Sequence, residues 1–366
     1  MPLNENFFLE KTFIPIDGAN IVCQDHKMLS FCSHDYLGLS EHSDVKKNAI
    51  KAILQYGMSS PSYECTDLSH RLQKQCEERL AKVLCKDHVF FFPSREATNH
   101  TLLSVLSDHA TLFIDASCHR SLAQYKGYNI YFFEHQNIQQ LETLLKNSTV
   151  SLKIIVTESI FSLGGDLNDL HILSVLAEQF EALLYVDDSH AFGLFGKEGM
   201  GIAPFIKGVD FISGSLNKAC GIYGGYLACS KIMRDFLLHH ANESFVHHLP
   251  SAVIGGLEAA LDLIPQMDGE RQQLQQRAHF LRTQLQNLQL EIVPSNTALI
   301  SIIFQTEDEA EDLRIHLFEA DIFVAPPHVL NGNYLLQFVV TSSHMPDHLN
   351  ILIESIKMWK EALAVN

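Results

Sequence analysis

The chain has 366 residues, 46% of them hydrophobic and 19% charged, and a formal net charge of −17 at pH 7. That length and composition allow a sizeable core in a large domain with a smaller companion. The acidic balance argues against nucleic acid as a partner, because phosphate backbones call for a basic surface, although a local basic pocket could still take an anionic thioester.

No apolar run reaches membrane-spanning length, and Met1 to Phe8 show no basic stretch leading into an apolar one; a cytoplasmic protein without a membrane partner is expected. Eight cysteines (Cys23, Cys32, Cys65, Cys76, Cys85, Cys118, Cys220 and Cys229) form no C-x-x-C pair and read as reduced thiols. Twenty histidines are scattered without metal-ligand spacing; His239-His240 and His247-His248 are read as surface, and no metal is expected.

Residues 1–45 are mixed and short-patterned, which suggests an N-terminal arm. Between Glu64 and Leu84, apolar side chains recur at spacings of four on one face of a predicted helix. Phe90-Phe-Phe92 is a predicted buried strand, followed by Pro93-Ser94 and a helix over Arg95–Leu106. A strand feeding a helix N-terminus is suited to an anion, since unpaired N–H groups and the dipole both favour phosphate. Strands are predicted at Thr111–Ile114, Ile130–Phe133, Ile154–Val156, Leu183–Val186 and Phe211-Ile212, with helices between them, such as Ile138–Leu145. Continuous apolar strands alternating with helices indicate an α/β domain, a mostly parallel sheet covered on both faces, placed here over residues 46–270. Helices at Leu249–Ile264 and Glu270–Leu288 lead to strands at Leu299–Phe304 and Leu335–Val340 and helices at Glu307–Glu319 and Asp347–Ala364. These form a small α+β domain over residues 271–366.

Two stretches carry the chemistry. In Gly214-Ser-Leu-Asn-Lys-Ala-Cys-Gly221, Lys218 stands between two apolar runs among small residues. It is either a strand-end lysine with its head in water or a buried amine whose pKa is lowered by desolvation, the form that condenses with an aldehyde. In Leu183-Leu-Tyr-Val-Asp-Asp-Ser-His190, Asp187 ends an apolar strand and His190 follows three residues on. Ligands collect at the carboxyl ends of such strands. An acid for a pyridinium nitrogen, a histidine for the neighbouring phenolic oxygen and a Schiff-base lysine together point to pyridoxal phosphate. The glycines of Gly193–Gly201 lack the strand-to-helix order of a dinucleotide loop.

With Phe31-Cys-Ser-His-Asp-Tyr-Leu-Gly-Leu39 and Thr157-Glu-Ser-Ile-Phe-Ser-Leu-Gly-Gly-Asp166, these motifs resemble the α-oxoamine synthases, and the resemblance runs almost to the C-terminus. Those enzymes use pyridoxal phosphate on an aminotransferase-like fold to join an amino acid to an acyl thioester with loss of carbon dioxide. The resemblance implies L-alanine and a pimeloyl thioester, on coenzyme A or a carrier protein, as substrates. It also implies a homodimer with shared active sites, its N-terminal arm packed on the partner. His119, otherwise a plain structural histidine, corresponds to the one that stacks on the cofactor ring. Glu158 and Ser162 support the ring region, Asp187 holds the ring nitrogen, and His190 bonds the 3′ oxygen. Lys218 carries the cofactor and serves as general base.

The chain departs from the family pattern at several points. The phosphate-cradling Ser-Gly-aromatic turn reads Ser94-Arg95-Glu96, where Arg95 is expected to contact phosphate and Glu96 is an unwelcome neighbour. Ser215 can still offer a hydroxyl. A glycine-rich loop has become Met58–Ser62, and a Ser/Thr-rich segment reads Val246-His-His248. Gln337 replaces the arginine that would bind the substrate carboxylate, in Gln337-Phe-Val-Val-Thr-Ser-Ser-His344, and Val324-Ala-Pro-Pro327 lacks its arginine. Three readings follow: an active synthase, a relative with shifted substrates (a transaminase or decarboxylase among them), and a retired homodimer acting as a scaffold.

Overall fold

The computed structural model describes residues 12–58, 71–127, 129–240, 248–330 and 332–365. Three short strands come first: β1 (Phe13–Pro15), β2 (Asn20–Cys23) and β3 (His26–Ser30). Seven build the central sheet: β4 (His88–Phe92), β5 (Thr111–Asp115), β6 (Ile130–Phe133), β7 (Lys153–Glu158), β8 (Ala182–Asp187), β9 (Phe211–Ser215) and β10 (Gly225–Cys229). β11 (Leu299–Phe304), β12 (Ile322–Phe323), β13 (His328–Leu330) and β14 (Asn333–Val339) follow.

The central order is β4-β10-β9-β8-β7-β5-β6. β10 runs antiparallel to both neighbours, while the other pairings are parallel. The strand pattern dictates burial on both faces: Ile155, Leu184 and Val186 belong to one core cluster, whereas Ile154, Val156 and Tyr185 belong to another. The first face is covered by α1 (Ser43–Tyr56), α2 (Arg71–Val83), α5 (Ile138–Asn147), α6 (Leu170–Gln179) and α8 (Ser251–Leu263). α3 (Arg95–Ser107), the single turn α4 (Arg120–Ala123) and α7 (Lys231–His240) cover the second. Burying both faces of each apolar strand is the main stabilising term, at roughly 25 cal/mol per Å² of apolar surface.

The α/β architecture and the mostly parallel sheet are therefore present. The expected boundary at residue 270 falls in the first turn of α9 (Asp268–Asn287), which leads into the C-terminal unit. There β11, β14 and β13 form an antiparallel sheet packed by α10 (Glu307–Glu319) and α11 (Pro346–Val365) around Leu313, Leu336, Phe338 and Trp359. Over its described length the N-terminal segment, expected as an arm on a partner subunit, is tied into its own chain. β2 pairs with β3, and β3 pairs in parallel with β12, so that sheet draws on the C-terminal unit of the same chain. Backbone groups that an arm would leave to water are satisfied within the chain. Residues 64–70 of the predicted helix, 59–62 of the remodelled loop and 246–247 lie outside the described residues. No helix of the described residues is long and apolar enough to cross a membrane.

Candidate active site

The site collects at the carboxyl ends of the central strands, as open α/β sheets favour. β7 ends in Glu158, β8 in Asp187 and β9 in Ser215, and the turn after β9 delivers Lys218. Gly193, at φ +88°, lets the segment after His190 pass that turn, since a Cβ there would lie 2.1 Å from Ala219 Cβ. A cavity of about 670 Å³ opens here, and Lys218, His119, His190, Ser162, Ser215 and Arg95 all contribute to its lining.

Lys218 is buried, and its Nζ has no hydrogen-bond partner among the described residues. Burial, reinforced by the nearby Arg95 guanidinium and opposed by Asp187 and Glu158, pushes its pKa down to about 7. It is the buried amine, not the solvated strand-end lysine. Asp187 accepts from Arg95 Nε at 2.6 Å and Asn99 Nδ2 at 3.0 Å on Oδ2, and from the Ser189 N–H at 3.0 Å on Oδ1. Burial alone would raise its pKa; Arg95, Lys218 and these hydrogen bonds override that and bring it down to about 2. Glu158 accepts from Arg95 Nη2 at 2.6 Å, from the His119 N–H at 2.7 Å and from the Ser162 N–H at 3.1 Å. There burial dominates and pushes the pKa up to about 7, with Arg95 offsetting only part of it.

His190 Nδ1 lies 2.8 Å from the Tyr36 hydroxyl. Burial holds this imidazole well below its ordinary pKa, and Lys218 and His34 add to the shift. His119 shares a 2.9 Å contact between Nδ1 and Ser121 Oγ; burial, then Arg95, lowers its pKa to about 4. Both rings are neutral at pH 7 and can donate or accept one hydrogen bond per nitrogen.

Several predicted residues have partners within the chain. Ser94 is not on the cavity lining; its Oγ accepts from the Ala97 N–H and caps α3. Ser215 is engaged with the side chain of Asn217. Glu96 stands exposed on the cavity wall in the first turn of α3. Arg95, expected at the phosphate, pairs with Asp187 and Glu158: two buried carboxylates attract a guanidinium, whereas the helix N-terminus it starts from carries partial positive charge. Gln337 Nε2 is committed to the carbonyls of Ser162 at 2.9 Å and Leu163 at 2.8 Å.

Tyr36, His34, Asn99, Arg120 and His328 were not singled out from the sequence. Tyr36 and His34 sit in a quoted motif but reach His190 from 154 and 156 residues away, and only the fold makes that visible. Asn99 orients Asp187, and its own Oδ1 accepts from the Tyr185 hydroxyl at 2.5 Å.

The donor set fits pyridoxal phosphate. An enclosed, unpartnered amine suits the aldehyde, an ionised acid suits the ring nitrogen, and neutral imidazoles suit the ring and its oxygen. The one obstruction is Arg95, which already covers the acid.

Residues 26–356 match the model of the aminotransferase class I and II family. The chain belongs to this family of pyridoxal-phosphate enzymes, and pyridoxal phosphate is its cofactor. The chain is 33% identical over 359 residues to a putative 8-amino-7-oxononanoate synthase of Desulfosudis oleivorans, covering 94% of this chain and 92% of the relative. It is 32% identical to an 8-amino-7-oxononanoate synthase of Trichlorobacter lovleyi, with 94% and 92% covered. With relatives of this kind over nearly its whole length, the chain is a pyridoxal-phosphate-dependent acyltransferase. Among solved structures, a serine palmitoyltransferase of S. paucimobilis superposes with a TM-score of 0.90 at 18% identity, covering 97% of this chain and 94% of that one. An 8-amino-7-oxononanoate synthase of Francisella tularensis gives 0.80 at 23%, covering 92% and 98%. At those identities the two structures bear on the fold alone.

Proposed function

We propose that this enzyme condenses L-alanine with a pimeloyl thioester, on coenzyme A or a carrier protein, releasing carbon dioxide and forming 8-amino-7-oxononanoate for biotin biosynthesis. The observation that carries the reading is Lys218: a buried amine with no protein partner, lowered to about 7, in a cavity large enough for an amino acid and an acyl chain. The relatives' names supply the choice of substrates.

When bound, pyridoxal phosphate supplies an electron sink for the amino acid's α-carbon. The chain's residues do the rest. Lys218 Nζ is deprotonated in part at pH 7 and can accept the α-proton without a strong base being present. Asp187 stays ionised and stabilises a positive charge placed against it. His119 and His190, neutral and desolvated, orient without adding charge. The acyl carbonyl is attacked by the α-carbon, a carbon–carbon bond forms, the thiolate leaves, the carboxylate departs as carbon dioxide, and the α-carbon takes a proton back from Lys218 Nζ, which accepted one at the start.

The amino acid's carboxylate needs a cation before that last step. Gln337 supplies none, and its amide is already spent on backbone carbonyls. Arg120, exposed at the cavity edge, carries the other guanidinium of the lining among the described residues, and we assign it this contact. A homodimer belongs to the same reading and is supported by exposed Ile50 and Leu54 on one face of α1 and exposed Phe13 and Ile14 on β1.

The reading is tested by incubating the holoenzyme with pimeloyl thioester and L-alanine labelled with carbon-13 in the carboxyl group. Labelled carbon dioxide and unlabelled 8-amino-7-oxononanoate are expected in equal amounts. Label retained in an amino-transfer product would replace the reading with a transaminase. The loss of the carboxylate-binding arginine at position 337 favours a second reading, the same condensation on another amino acid or acyl donor. It wins if a panel of amino acids and thioesters finds a pair turned over faster than alanine and pimeloyl thioester.

A further inference from the structure

Arg95 is the first residue of α3, and its side chain runs past the cavity wall to the acids behind. Nε meets Asp187 Oδ2 and Nη2 meets Glu158 Oε1, both at 2.6 Å. Arg95 is 4% exposed, Asp187 1% and Glu158 0%. Arg95 lines the cavity, whereas neither acid does, so a molecule in the cavity meets the guanidinium before it meets either carboxylate. The rest of Asp187 is also engaged, by Asn99 on Oδ2 and the Ser189 N–H on Oδ1. Charge-assisted hydrogen bonds of this kind are among the strongest a side chain makes, and either acid stripped of its guanidinium would carry a buried, uncompensated charge.

Pyridoxal phosphate brings its own cation, the ring N–H, to an acid. If Asp187 is that acid, as the proposed function holds, two cations compete for one carboxylate. We propose that Arg95 is a resident counter-cation of the cofactor's acid, and that pyridoxal phosphate binds by displacing this guanidinium from Asp187.

The consequence is a weakened apparent affinity. Cofactor binds only the fraction of molecules in which the acid is uncovered, and the intrachain pair keeps that fraction small. Arg95 thereby sets how much cofactor the enzyme must meet before it is loaded. The opposite assignment, with Arg95 as a phosphate ligand, gives the opposite sign: removing it would weaken cofactor binding.

The experiment titrates the full-length protein with pyridoxal phosphate, reading the visible absorbance of bound cofactor and the melting temperature, for wild type, Arg95→Gly and Arg95→Gln. Arg95→Gly is expected to bind about ten-fold tighter or better, a shift of roughly 1.4 kcal/mol. It should also melt lower than wild type without added cofactor and gain more than wild type on saturation. If Arg95→Gly does not fold, Arg95→Gln, neutral and of comparable reach, should show the same tightening. An unchanged or larger dissociation constant in the variants overturns the proposal while leaving wild-type binding, and the proposed function, intact. If neither wild type nor variants bind pyridoxal phosphate or retain it after borohydride, the proposed function fails and the proposal with it.

Discussion

The floor and the rim of the cavity are built on different terms. On the floor, Asp187, Glu158, Arg95, Asn99, His190 and Lys218 come from strand ends or the turns and helix beside them, and all are buried. Every acid there has two or more donors at 2.6–3.1 Å. On the rim, Arg120 and His328 are exposed, and Gln337 reaches in from β14 of the C-terminal unit. A substitution on the floor strands a buried charge, whereas one on the rim alters what the cavity recognises and leaves the sheet untouched. On the proposed function, this would let a chain keep its lysine and acid while the contact to the substrate carboxylate changes.

The comparison is best broken at Lys218. Lys218→Ala should lower turnover by about 10³-fold or more, a general base and the cofactor's attachment point being lost together. Borohydride should then fix no cofactor on the protein. Retained attachment in the variant would remove Lys218 from the mechanism. Asp187→Asn comes next: halving the acid pair on Arg95 should cost roughly 3–5 kcal/mol, a fall in melting temperature of about 4–7 °C for a chain of this length. An unchanged melting temperature would mean that the floor is not held by its charges.

The pH dependence sharpens the same point. Lys218's pKa is depressed to about 7 from an ordinary lysine value, so between pH 7 and about 10.4 the unfolded chain binds one more proton at this position than the folded one. Stability from this group therefore rises with pH across that window, and its penalty is complete below pH 7. The rate of covalent cofactor attachment should climb through an inflection near pH 7, as the free amine appears. Glu158 titrates in the same range, so Glu158→Gln is the control in which the inflection must persist. An inflection near 10 would return Lys218 to the status of a solvated lysine.

On the rim, Arg120→Ala should raise KM for the amino acid about ten-fold with kcat within two-fold, the pattern of a lost binding contact outside the bond-breaking step. A KM that does not move would place the carboxylate elsewhere on the lining.

On the floor, the residues at strand ends and in the turns after them are the part most legible in the sequence. Val186 and Ile155 announce buried strands, and Asp187 and Lys218 stand where such strands end. β10 was less legible: Gly225–Cys229 has the same apolar look as its parallel neighbours. The nine residues joining it to β9 are too few for a parallel crossover, which was the available clue to its direction. β1 to β3 carry no strict alternation, His26-Lys-Met-Leu-Ser30 being half exposed, so their pairing with the C-terminal unit left no local trace. Arg95 shows the limit most sharply. Position in the sequence placed it at a helix N-terminus and hence near an anion, yet its long side chain answers to carboxylates 63 and 92 residues away. Composition and spacing locate a backbone; the destination of a long charged side chain is decided by burial of its partners.

Gln337 offers the smallest effect and the finest discrimination. Its amide ties the carbonyls of Ser162 and Leu163, and so holds the loop after β7 to β14. Gln337→Ala leaves the Ser162 carbonyl without this donor, while the Leu163 carbonyl keeps Ser301 Oγ at 2.8 Å, at a cost of about 1–3 kcal/mol, or a few degrees of melting temperature. If Gln337 is only a brace, KM for the amino acid should stay within about three-fold of wild type, because Arg120 still holds the carboxylate, and turnover should track the fraction folded. A ten-fold rise in KM with no loss of stability would make the amide itself the substrate contact. Arg120 would then be a bystander, and the carboxylate would be bound by a neutral donor at the edge of a charged floor.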